Sequence, residues 1–170
     1  DMILLTKEIT LGYVLTGNKR IDQISAEGLN GLSRVLTTRT SVEPASSFGL
    51  NLEEDKLSLF PLLYWPITEG QPIPSPAAYA ELNTYLRSGG VILIDTRDGD
   101  LSGLRNGVNA RLVELTRALD IPRLSPVAQD HVLTRSFYLL NDFPGRFKEG
   151  TLWAQAPENT DAATAAMPFR

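Results

Sequence analysis

The segment Val91-Ile92-Leu93-Ile94 constrains the fold more than any other, because four consecutive apolar residues leave no face for water. Such a run suits a strand buried on both faces, as in a parallel sheet. A clearly punctuated helix precedes it. Ser75 is an N-cap candidate and Pro76 takes the first helical position. Ala78, Leu82, Tyr85 and Leu86 share one face, and Gly89-Gly90 stop the helix. A helix leading straight into an apolar strand is half of a strand–helix–strand unit.

The alternation extends in both directions. Residues 7–15 are rich in β-branched and aromatic side chains and read as a strand ending at Thr16-Gly17-Asn18. Ile21, Ile24, Leu29, Leu32 and Leu36 follow at helical spacing, with Asp22 in the first turn, where the helix dipole favours a carboxylate. Gly28 and Gly31 weaken this helix and point to close packing against a neighbour. Residues 40–44 read as a short extended segment. Residues 57–64 read as a buried strand, with Pro61 marking an end or a bulge. A third helix carries the stripe Val108, Leu112, Leu115 and Leu119, with Pro122 just beyond it. Residues 131–140 read as one strand or two short ones, and residues 151–154 as a last one. The expected fold is α/β, a mostly parallel central sheet flanked by helices on both faces, flavodoxin-like in kind. Residues 1–153 form the expected domain. Residues 154–170, rich in Ala, Thr and Pro, read as a linker or frayed tail.

Composition excludes several functions. The net charge of -4 argues against a nucleic-acid or anionic-membrane surface. No glycine pattern of a phosphate loop or dinucleotide site occurs. Zinc fits poorly with no cysteine and one histidine. No apolar run approaches the length of a membrane span, so this segment is not expected to cross one.

Three stretches carry a resemblance. ITLGYVLTGNKRID and GLNGLSRVLTTRT open the chain, FPLLYWPIT and YLRSGGVILIDTRD form its centre, and DHVLTRSFYLLNDFPGR lies toward its end. Together they resemble the bacterial domain-of-unknown-function family 4159, grouped with the class I glutamine amidotransferase-like superfamily. The resemblance implies that superfamily's fold. It also implies a domain at the C-terminal end of a bacterial membrane-anchored protein, behind transmembrane helices outside this segment, with other envelope or membrane proteins as partners. It further implies that the domain continues past Arg170 and that Asp1 begins an excised piece. It implies no activity. The nucleophilic cysteine of amidotransferase-like folds has no counterpart here, because the chain contains none.

Ligands in open parallel sheets bind beyond the carboxyl ends of the strands. The prime candidate is therefore the turn after Ile94, Asp95-Thr96-Arg97-Asp98-Gly99-Asp100. Asp95, Thr96, Arg97 and Asp98 are candidate ligand contacts. Arg39 joins them as an anion binder, or simply neutralises the end of its helix. Tyr64, beside Trp65, walls a pocket or completes the core. Phe137 and Tyr138 point to opposite faces if their segment is a strand. Thr96 with His131 and Asp95 is the candidate catalytic set, since a hydroxyl nucleophile needs an activating base. Asp98 and Asp100 are hard-oxygen candidates for Mg²⁺ or Ca²⁺, or belong to a solvated Asp-Gly turn. The leading expectation is a non-catalytic interaction or ligand-sensing domain for a small molecule. The alternatives are a hydrolase acting on a small polar substrate and a structural assembly module.

Overall fold

A computed structural model describes residues 9–97, 105–128, 131–135 and 151–156, with the side chains of residues 105–109 outside the description. The chain divides after Asp120 into two compact units.

The first unit is a parallel sheet with crossover helices. Its strands are β1 (Gly12–Val14), β2 (Phe48–Leu50), β3 (Leu62–Pro66) and β4 (Val91–Asp95), in the spatial order β2-β1-β3-β4. All three pairings are parallel, with Gly12 beside Phe48 and Leu63, and Leu62 beside Val91. Helix α1 (Lys19–Arg39) joins β1 to β2, and α2 (Pro76–Arg87) joins β3 to β4. The two crossovers run in opposite directions across the sheet. Right-handed connection therefore puts α1 and α2 on opposite faces.

Val14, Leu50, Leu63, Trp65 and Ile67 fill the core around the sheet. Gly12 is obligatory there. A Cβ at that position would lie 2.6 Å from Leu50 Cδ1 and 2.9 Å from Leu63 Cδ2. α1 buries Ile21, Ser25, Leu29 and Ser33, a narrow stripe at four-residue spacing. The expected Ile24 and Leu32 stay exposed, because two serines take the inner positions instead. Gly28 and Gly31 face open space rather than a close neighbour. α2 follows its punctuation. Ser75 Oγ accepts from the Ala78 amide, and Ala78, Tyr79, Leu82 and Tyr85 are buried. Helix α3 (Arg105–Thr116) packs on α2, where Tyr79 Oη donates to the Leu115 carbonyl. Burial pushes the Tyr79 phenol pKa up, while the nearby Arg111 pulls it back.

The end of α2 and the start of β4 are joined by one side chain. Tyr85 Oη donates to the Val91 carbonyl and accepts from the Val91 amide, both at 3.1 Å. Its ring occupies the space over Gly90, where a Cβ would sit 2.3 Å from it.

Three differences from the sequence expectations have physical causes. Among the described residues the fourth parallel strand is β2, and residues 132–135 of the expected strand 131–140 are helical. Phe48-Gly49-Leu50 escaped notice because a central glycine breaks the strand pattern. A Cβ at that glycine would meet Tyr13 Oη and Leu15 Cδ2 at 2.9 Å, so a larger residue would have to displace both side chains. Residues 57–64 split at Pro61 into a 3-10 turn (Leu57–Leu59) and β3. β4 is not buried on both faces, because the residues of one face, Val91 and Leu93, are exposed.

In the second unit, β5 (Leu124–Pro126) pairs antiparallel with β6 (Trp153–Gln155). Residues 132–135 form a single helical turn, α4 (Val132–Arg135), where the sequence suggested a strand. His131 caps it. The His131 carbonyl accepts from the Thr134 amide and hydroxyl, and its Nδ1 accepts from the Leu133 amide at 3.2 Å. Local bonds of this kind override β propensity. Phe137 and Tyr138 lie outside the described residues.

Candidate functional site

The strand order fixes where a ligand can enter. From β1 the chain crosses to β2 on one side, and from β3 it crosses to β4 on the other. The connections therefore diverge between β1 and β3, and a crevice opens at their carboxyl ends. With Tyr13 beside Tyr64, the loops beyond Val14 and Pro66 come to the same rim.

The β1 side of this crevice is built locally. Gly17 takes a φ of 80°, a left-handed conformation glycine adopts without a steric penalty. Asn18 then caps α1, its Oδ1 accepting from the Arg20 and Ile21 amides at 3.1 and 3.4 Å. Asp22 reaches back to accept from both the amide and the hydroxyl of Thr16, at 2.9 and 2.7 Å. That hydroxyl oxygen in turn accepts from the Asn18 amide. The turn is thus locked by its own polar groups, and Lys19 projects from the exposed first turn of the helix.

The β3 side is a turn in which the Gln71 amide donates to the Thr68 carbonyl at 3.3 Å. Arg111 of α3 donates to the Gln71 carbonyl and ties this wall to the helix. Gly70 on the same wall borders open space: a Cβ added there would meet no atom within 4 Å.

β4 supplies the third wall. Asp95 accepts from Tyr64 Oη at 2.5 Å through one carboxylate oxygen and from the Arg97 amide at 2.9 Å through the other. The Asp95 carbonyl accepts from the Ile67 amide. Arg97 sits at φ 55°, the one non-glycine with positive φ among the described residues. A left-handed residue costs roughly 1–2 kcal/mol, so Asp95 and Tyr64 hold the backbone against its preference.

These walls border an open cleft of about 670 Å³, lined by Thr16–Lys19, Ile67–Gly70, Pro72 and Arg97. Its size falls in the range of small-molecule sites. Lys19 and Arg97 bring positive charge and Glu69 brings negative charge. The lining also includes Thr68 and the apolar Ile67 and Pro72, so it combines charged, polar and apolar groups. Among the described residues, no group of three His, Asp or Glu could hold a metal ion.

The structure brings Tyr64, Asp95 and Arg97 together, as their positions at strand ends suggested. Arg97 reaches the cleft; Tyr64 and Asp95 stand behind it. Thr96 lies between them and does not line the cleft. Trp65 is core, 1% exposed. Arg39 is misplaced by the sequence reading. It ends α1, which starts at the cleft and runs 21 residues away from it. At 1.5 Å per residue that is about 30 Å, toward the amino ends of the strands. His131 belongs to the second unit. Its Nδ1 accepts from the Leu133 amide. Asp98 and Asp100 lie outside the described residues. The sequence reading missed Lys19, Thr68, Glu69, Gly70 and Pro72. Their one signal was position, as the loops following the first and third strand of a doubly wound sheet.

The fold and its crevice define the class: a doubly wound, parallel α/β domain with a polar cleft at its topological switch point. Within that class the chain belongs to the family described as Domain of unknown function (DUF4159), whose model matches residues 10–168. No curated protein matches the sequence.

Proposed function

We propose that this chain is a non-catalytic ligand-binding domain, a sensor or interaction module whose site is the cleft between the β1 and β3 loops. One observation carries the reading: the cleft of about 670 Å³ falls at the switch point of the sheet, where such folds bind ligands. Asp95 supports it, because both carboxylate oxygens already serve to position Tyr64 and Arg97. His131 supports it as well, acting as a helix cap.

The finer fold assignment, flavodoxin-like and of the class I glutamine amidotransferase-like kind, is part of the same proposal. The parallel order β2-β1-β3-β4 supports it. A tether to a bacterial membrane through helices outside these residues is supported by the sequence resemblance alone. No described helix is long and apolar enough to cross a membrane.

Amide chemical-shift mapping against a library of small polar fragments tests the cleft. Perturbations are expected at residues 16–19 and 67–72. Gly70→Trp starts its side chain in open space on the wall, so it should block binding while leaving the melting temperature unchanged within error. Fragments that bind Gly70→Trp as well as the parent chain, or that cluster elsewhere, overturn the proposal.

A further inference from the structure

We draw no further inference here: the strongest candidate, the exposed apolar surface formed by Ile24, Leu32 and Val35 on α1 and by Val91 and Leu93 on β4, carries none because nothing among the described residues shows what covers it.

Discussion

The two crossover helices begin in similar ways and are braced differently. At the start of α2, Ser75 Oγ accepts from the Ala78 amide and donates to Glu53 at 2.5 Å, while the Ser75 amide donates to the other Glu53 oxygen at 2.8 Å. The brace comes from 22 residues away and sets a full negative charge against the positive helix end. At the start of α1, the cap is the neutral amide of Asn18. Its brace, Asp22, comes from the helix's own first turn and faces back to Thr16. The helix start that does not line the cleft is neutralised from outside. The one at the cleft is satisfied by short-range bonds and keeps Lys19 beside the opening. The difference is one of reach: the carboxylate at α2 joins two segments 22 residues apart, whereas the one at α1 belongs to the helix's own first turn.

Substitutions can break this contrast. The largest effect is expected for Ser75→Ala, which removes the cap and the hydroxyl that Glu53 accepts from. Loss of about 1–2 kcal/mol is expected, read as a lower urea midpoint with an unchanged m-value. Asn18→Ala should cost less, about 1 kcal/mol, because the Thr16–Asp22 bonds remain. A larger loss at Asn18 than at Ser75 would reverse the contrast. The smallest effect concerns pH. The Ser75 hydroxyl, then its amide, holds the Glu53 carboxyl below the usual glutamate range. A lowered folded pKa gives stability that is present above the unfolded pKa and lost as pH falls through the folded one. Stability of the parent chain should therefore fall more steeply than that of Glu53→Gln as pH drops below the ordinary glutamate value. Parallel curves from an acid titration of melting temperature would show that this carboxylate does not brace α2.

What could be read from the residues alone follows the range of the forces involved. Ser75, Pro76 and Gly89 announce α2 because capping is local. The parallel character of β4 shows in its unbroken apolar run, although the exposure of one of its faces does not. β2 stays hidden because its three residues owe their strand state to pairing with β1 rather than to propensity. The site divides in the same way. Asp95 and Arg97 stand at the end of an obvious strand. Glu69 and Pro72 gain meaning only once β3 is known to lie beside β1, a fact set by contacts far apart in sequence. Arg39 misled because a helix that returns along a sheet carries its last residue to the opposite edge.

The Tyr85 hydroxyl, bonded to both backbone groups of Val91, acts as a register pin. A strand shifted by a single residue would turn Val91 and Leu93 inward and Ile92 and Ile94 outward, with Asp95 carried out of step with Tyr64. The phenol opposes that slip at the strand's first residue, so an aromatic ring at the base of the sheet helps keep Asp95 in step with Tyr64 and the Arg97 amide. Inserting or deleting one residue between positions 85 and 91 should therefore be felt at the opposite rim before it is felt in the core.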